Sequence, residues 1–424
     1  MLRALLAAAS LIALAAPALA QEASVTAAVK RIHDRMLVFD THLDTPANFS
    51  RPGWDILDRH SVKDDGSQVD LPRMVEGGLD GGFWAVFTPQ GPRTTDGRAS
   101  ARDAAIVRAA EIREMLARHG DKFELALTPQ DGPRIAAAGK RVVYMSIENS
   151  QPLAGDLTLM QTFYRLGVRL ISPIHFLNNE FGDSATDPGG PEFHGLSPLG
   201  KQFVAEANRL GVLLDASHAS DEVLDQMIAL SKTPILLSHS GLKAIYDHPR
   251  NIDDDRLRAL ARTGGVIQVN AFSSYMIDTP RIPERDAAVQ ALNRKYGPAR
   301  ERDAAARAAY RREMEAVDAR WPVPRATFDD FLKHLDHALE VAGVDHVGVG
   351  ADFDGGGGLT GFEDATAYPK VTAHLLAKGY SEADIAKLWS GNVLRILGQA
   401  QAAADQKAVA ALSGLPAHDH RGGD

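Results

Sequence analysis

The sequence predicts an α/β protein, a closed (β/α)8 TIM-like barrel with a helical insertion after its seventh strand. Three observations carry that prediction. Eight short apolar runs alternate with stretches of helical spacing. The runs are continuous and rich in Val, Ile and Leu, as strands covered on both faces must be. Finally, imidazoles and carboxylates gather at the C-terminal ends of those runs, where a parallel barrel collects its functional side chains.

The strand candidates are residues 37–44, 82–87, 142–148, 168–175, 212–218, 235–239, 266–271 and 347–353. Helical spacing marks 101–118, 196–210, 220–231, 253–263 and 363–378, with Ser197 and Pro198 as an N-cap and first-turn pair. An open doubly wound sheet is the alternative, but no Gly-rich phosphate loop follows the first strand. The stretch 277–325 breaks the rhythm. Its mixed charges read as a solvated helical pair, with a cap on the barrel mouth or an oligomer contact as the alternatives. Gly355 to Gly358 form a flexible loop after the eighth strand.

Composition narrows the function. With 424 residues, 45% hydrophobic and 24% charged, the chain is an ordinary globular protein. A net charge of −9 leaves no basic excess to neutralise phosphates, so nucleic acid is excluded as a partner. The absence of cysteine removes disulfides, thiolate metal sites and Cys nucleophiles together. Arg3, the apolar run 4–16 and the sequence Pro17-Ala18-Leu19-Ala20 have the order of a secretory signal. Residues 1–20 are therefore expected to be removed, leaving one barrel domain over 21–424 that is exported, periplasmic or secreted. A membrane anchor or a buried helix is the other reading of this segment. No later run is long enough to cross a membrane.

The polar residues point to chemistry. The first strand ends Asp40-Thr41-His42-Leu43-Asp44, and residues two apart share a face, so His42 and Asp44 point together. Glu148 closes the third strand and His175 the fourth. His218 closes the fifth, His239 the sixth, and Asp352 and Asp354 the eighth. Converging charges in a buried mouth need a counter-ion. Nitrogen and oxygen donors without sulfur fit Zn²⁺, with Mn²⁺ or Co²⁺ less suited. Four histidines and four acids exceed the needs of one tetrahedral ion, so a two-metal site with a bridging carboxylate is the economical reading. The other histidines, His33 and His334 among them, read as structural or solvated. Ser238 and Ser240 flank His239, but no Gly-x-Ser-x-Gly elbow is present, and nucleophilic serine is discounted.

These stretches, in this order, resemble the membrane dipeptidase (renal dipeptidase-like) family of zinc peptidases, the M19 group, from about Val38 to Leu397. Residues 39–44, Gly81-Gly82-Phe83-Trp84, Asp215-Ala216-Ser217-His218, Leu237-Ser238-His239-Ser240, Pro249-Arg250-Asn251 and Gly350-Ala351-Asp352-Phe353-Asp354-Gly355 carry the resemblance. It implies a metallo-dependent hydrolase barrel with a binuclear zinc centre. By resemblance His42 and Asp44 hold one zinc, His218 and His239 the other, and Glu148 bridges them. His175 contacts the substrate near the tetrahedral centre, Arg250 grips its C-terminal carboxylate, and Asp352 stands beside a bridging hydroxide and shuttles the proton. The implied reaction is hydrolysis of dipeptides.

Two stretches depart from the family. The bridging acid is often followed by Gly-Gly there, whereas here the run is Glu148-Asn149-Ser150-Gln151-Pro152. The run Phe176 to Phe181 has no close counterpart and leaves side-chain specificity open. Alternatives are another binuclear hydrolase of this barrel acting on a lactam, an N-acyl amino acid or a phosphoester, a lyase acting on cysteine conjugates, and a catalytically silent binding protein. Barrels of this kind commonly dimerise, and the insertion offers a surface for a homodimer.

Overall fold

The structure is a computed structural model that describes residues 25–298 and 301–413. The leader segment 1–20 and the tail histidines His418 and His420 lie outside those residues. The strands are β1 Phe39–Leu43, β2 Gly81–Phe87, β3 Phe123–Leu125, β4 Arg141–Glu148, β5 Val168–Ile171, β6 Leu213–Leu214, β7 Leu236–Ser240, β8 Val266–Val269 and β9 Val347–Val349. Hydrogen bonding runs β1-β2-β4-β5-β6 in one sheet and β7-β8-β9 in another, with every pair parallel. Single parallel bridges join the two sheets. Asp215 to Leu236 carries β6 into β7, and Leu43 to Phe353 returns the segment after β9 to β1. The ring therefore closes as the barrel the sequence predicts.

The ninth strand was not anticipated. β3 is too short to display a period, and it pairs with Arg141 to Val143 of β4, below the residues that β5 uses. The strands also stop earlier than the apolar runs suggest. β5 ends at Ile171, four residues before His175, because Pro173 brings no N–H to a ladder. β6 is only Leu213–Leu214, since Asp215 turns its side chain back onto the chain and captures the N–H of Ser217 at 2.9 Å. His218 thus lies in a turn at φ 70°, and Asp352 lies beyond β9 at φ 60°.

The lower barrel interior is apolar and aromatic. Phe39, Phe83, Tyr144, Leu170, Leu213, Leu236 and Val266, one or more from each of seven strands, form one buried cluster. Tyr144 stacks on Phe83 with centroids 5.0 Å apart and meets Phe39 edge-on. Val393, Ile396 and Leu397, on one face of the helix Asn392–Ala402, complete this cluster from below. Gly82 is required where β1 and β2 meet. Its φ is +150°, and a Cβ there would fall 1.8 Å from the Asp40 carbonyl oxygen.

Most predicted helices form close to their expected limits. Thr95–Arg118 buries Ala101, Ala105, Ala109, Ile112 and Met115, a stripe at helical spacing. Pro198–Leu210 starts on Ser197, whose side chain accepts from Gly200 N, and stops at Gly211 with φ 68°. Asp221–Leu230 and Asp254–Arg262 are capped by Ser220 and Asp253. The predicted helix 363–378 is shorter. It runs Tyr368–Ala377, because Asp364 caps a separate 3-10 turn at Ala365–Ala367 and Pro369 sits in the first turn of the helix proper. The loop Gly355 to Gly358 is tied rather than free, with Gly357 N donating to Asp352 O at 2.7 Å and Gly358 N to Ala271 O at 2.9 Å. The insertion is a helical pair, Pro283–Tyr296 and Ala304–Arg320, joined by Lys295–Glu313 and Arg285–Asp318 contacts.

His33 is a buried staple. Its Nδ1 lies 2.7 Å from Thr372 Oγ1, its Nε2 2.9 Å from Gly77 O, and its ring meets Trp389 edge-on. Burial pulls its pKa down to about 4, and does the same to His334. Both are neutral when folded, whereas in the unfolded chain they bind protons below about pH 6.5. Stability is thus fully present above pH 6.5 and falls as pH drops towards 4, by up to about 3 kcal/mol per group. Denaturant unfolding at pH 7 and pH 4.5 checks this. His33→Gln should be less stable at pH 7 and lose less on acidification, and an unchanged pH dependence would refute the assignment.

Candidate metal centre

The barrel geometry delivers the polar strand ends to one place. Glu148 is the last residue of β4, His42 lies in β1, and His239 lies in β7. Glu148 Oε1 is 3.1 Å from His218 Nε2, 3.4 Å from His239 Nε2 and 3.6 Å from His175 Nε2. Its other oxygen is 3.4 Å from His42 Nε2, which is itself 3.3 Å from Asp44 Oδ2. Three groups of potential ligands emerge: His42, Glu148 and His239; Glu148, His175 and His218; and His42, Asp44 and Asp352. All these residues are buried.

The donor set fits a metal. Among the described residues, His42 Nε2 and Asp44 Oδ1 are buried without a hydrogen-bond partner. His218 Nε2 and His239 Nε2 face each other at 2.9 Å. Burial holds both of these imidazoles well below their ordinary pKa, so both are neutral. Two neutral ring nitrogens this close together, beside the Glu148 carboxylate, make a compact donor set that suits a cation. Bonds of about 2.0–2.2 Å in a tetrahedron put ligand atoms about 3.3–3.6 Å apart, and the 3.4–3.6 Å contacts of Glu148 with His42, His239 and His175 match that edge, with the 3.1 Å contact to His218 slightly shorter.

Electrostatics reinforce the geometry. Burial opposes the charge on Glu148, yet His42, His175 and the His218 contact hold its carboxyl well below the usual range. Burial likewise works against His42, but Glu148 and Asp44 carry it well above its ordinary value. Burial lowers His175, and it pushes the Asp352 carboxyl well above its usual range.

A second layer fixes the ligands. Asp215 accepts from Ser238 N at 3.0 Å and from Ser238 Oγ at 2.6 Å. With its proton so committed, Ser238 Oγ accepts from His239 Nδ1 at 2.8 Å, which leaves the lone pair on Nε2 facing the site. Asp40 does the same for the backbone. It takes His42 N at 2.8 Å, Ala351 N at 2.8 Å and Tyr368 Oη at 2.6 Å, and so ties β1 to the loop that carries Asp352. Burial raises the Asp40 pKa to about 6. Neither acid stood out as a positioning group in the sequence, because strand-end carboxylates look alike there.

The site opens into a cavity of about 310 Å³, a size suited to a small ligand. Phe87, Phe176, Phe272 and Tyr275 line it beside the polar cluster and Asp354. The sequence analysis missed Phe87, Phe272 and Tyr275. Phe87 ends an apolar run and could have been found by the strand-end rule, whereas Phe272 and Tyr275 sit in an irregular turn after β8 with no periodic signal. Arg250 does not line the cavity. It is buried one layer back, its Nη2 donating to His239 O at 2.7 Å and its Nη1 to Ser240 Oγ at 2.8 Å, with the guanidinium 5.5 Å from the Tyr275 ring centre. Its Nε has no partner.

The family pattern described as membrane dipeptidase (peptidase family M19) matches residues 26–410. Dipeptidase tcpJ of Claviceps purpurea (strain 20.1) is 30% identical over 355 residues, covering 82% of this chain and 73% of that protein. The crystal structure of the probable dipeptidase PvdM from Pseudomonas aeruginosa superposes with a TM-score of 0.76 at 31% identity, over 90% of this chain and 99% of that one. A metallo peptidase from Rhodobacter sphaeroides, liganded with a phosphinate mimic of the dipeptide L-Ala-D-Ala, gives a TM-score of 0.66 at 26% identity, over 86% and 99%. The family match spans the barrel and every residue of the polar cluster, and the chain belongs to the membrane dipeptidase family, peptidase family M19.

Proposed function

We propose that this metallo-dipeptidase holds two zinc ions with His42, Asp44, Glu148, His218 and His239, and cleaves dipeptides that carry a free C-terminal carboxylate. The observation that carries the reading is Glu148. Both of its oxygens meet imidazoles, His42 through Oε2 and His218 and His239 through Oε1, as those of a carboxylate shared by two cations would. The bound ions would polarise the scissile carbonyl and make water nucleophilic at neutral pH.

The chain's own residues do the rest. Arg250, behind His239 and Tyr275, offers a fixed positive charge that would draw a substrate carboxylate to that side of the cavity, where its unpartnered Nε–H could be reached by movement of Tyr275. Asp352 lies with His42 and Asp44 on the cavity wall, where its carboxylate can take the proton of the attacking water and return it to the leaving amine nitrogen. His175, against Glu148 and Phe87, stands where it can stabilise charge developing on the carbonyl oxygen. Phe87, Phe176, Phe272 and Tyr275 pack the substrate side chains and exclude water. Export belongs to the same reading, supported by the order of charge, apolar run and Ala-x-Ala in the first residues. The exposed helical pair is the surface on which a homodimer would form.

Metal analysis of the purified chain, paired with a dipeptide panel including Gly-D-Ala and L-Ala-L-Ala, tests the centre directly. The expected result is about two zinc ions per chain and cleavage abolished by a chelator and restored by zinc. Two ions without cleavage would move the substrate to another amide or ester class, and no metal would sink the mechanism. Asp352→Asn should lower kcat by about 10²–10⁴-fold with zinc retained, and an unchanged kcat would remove Asp352 from the chemistry. Arg250→Met should cut kcat/KM for a free-acid dipeptide by about 10²-fold, and much less for its C-terminal amide. Equal losses on both would show that Arg250 only supports the fold.

A further inference from the structure

A second cavity, of about 710 Å³, lies away from the metal centre, between residues 51–66 and the helical pair Pro283–Tyr296 and Ala304–Arg320. Five arginines line it, Arg51, Arg294, Arg302, Arg307 and Arg311, against one carboxylate, Asp65. That carboxylate is already committed. It lies 2.8 Å from His60 Nδ1 and accepts from Ser67 N at 2.9 Å. Among the described residues, the arginines are held mainly by backbone oxygens, which fix their direction without neutralising their charge. Arg51 donates to Asp65 O, Arg302 to Gly297 O, Arg307 to Arg302 O and Pro52 O, and Arg311 to Val62 O. Arg294 is exposed at the rim, with no hydrogen bond among the described residues. Burial lowers the Arg51 pKa. Asp354 and Asp65 oppose that, while Arg307 and Arg302 add to it, so the guanidinium groups repel one another across the space.

We propose that this cavity binds a small polyanion bearing phosphate or carboxylate groups. Guanidinium groups clustered and oriented in a concave site recognise such groups by paired, charge-assisted hydrogen bonds. A net charge of −9 makes this concentration of positive charge a local feature that bulk composition does not explain. The cavity has room for a ligand of metabolite size. Asp354, which lines the metal-site cavity, lies close enough to Arg51 to oppose the fall in its pKa, and it is held by Gln68 N at 2.8 Å and Thr45 Oγ1 at 2.7 Å.

The test uses the zinc-loaded full chain and 1,3,6,8-pyrenetetrasulfonate, a fluorescent polyanion whose sulfonates are poor metal ligands. Saturable binding at one probe per chain is expected, weakened as salt rises. Arg294→Glu and Arg307→Gln should each weaken it by about tenfold or more while leaving dipeptide cleavage and the unfolding midpoint near wild type. Displacement by inorganic phosphate in preference to succinate would identify a phosphorylated ligand, and the reverse a polycarboxylate. Absence of saturable binding, displacement by neither competitor, or affinity unchanged in both variants would overturn the proposal.

Discussion

Glu148 is a buried carboxylate with imidazoles against both of its oxygens, and the upper half of the barrel is arranged around that fact. An ionised carboxylate without a partner costs several kcal/mol to bury. Here the nearest groups are His218, His42, His239 and His175, all between 3.1 and 3.6 Å away. Four imidazoles around one carboxylate offer more nitrogen and oxygen donors than hydrogen bonds among them can use, and His218 Nε2 and His239 Nε2 stand only 2.9 Å apart. A bound metal would take up those donors. On this view the metal completes the fold of the mouth as well as the chemistry, and its binding energy becomes stability of the folded chain.

The backbone around Glu148 is strained in a consistent way. Asn149, His218, Asp352 and Asp354 have φ between 60° and 70°, a region that non-glycine residues enter at a cost of order 1 kcal/mol or more each. All four follow strand ends at the same rim. The strain is tolerated because the surrounding hydrogen bonds over-determine it. Asp215 replaces the lost ladder after β6, Asp40 anchors both β1 and the loop after β9, and Asp354 is fixed by Thr45 and Gln68. A regular strand would have pointed His218 and Asp352 along the pleat. The left-handed turns redirect them, and the second-layer carboxylates hold them there.

This explains what could be read from the sequence. The barrel was legible because buried parallel strands leave continuous Val, Ile and Leu runs, and the eight runs found all join the ring. The polar cluster was legible because a barrel gathers strand ends, so His42, Glu148 and His239 could be brought together by topology alone. His175, His218 and Asp352 were found for a partly mistaken reason, as strand termini rather than as residues of the turns beyond. Tyr275 and Phe272 escaped because an irregular turn has no period. Arg250 could be matched to the family, but its depth could not, since burial behind His239 and Tyr275 depends on how two loops pack. The helical pair at 283–320 was visible, while the concentration of its arginines opposite residues 51–66 was not, because the two segments meet only in three dimensions.

The two halves of the barrel divide their labour. Below, Phe39, Phe83 and Tyr144 stack across the interior and the helix Asn392–Ala402 closes it with Val393, Ile396 and Leu397, an arrangement of apolar contacts with no polar conflict. Each buried aromatic or aliphatic side chain there contributes about 1.5–3 kcal/mol. Above, like-charged acids, buried imidazoles and left-handed turns each cost free energy. The same eight strands run through both layers, so stability gained at one end is transmitted as rigidity to the other. That is why the ligand-bearing turns can sit on a frame that does not depend on them, and why the helical insertion follows a strand end, where the lower core does not feel it.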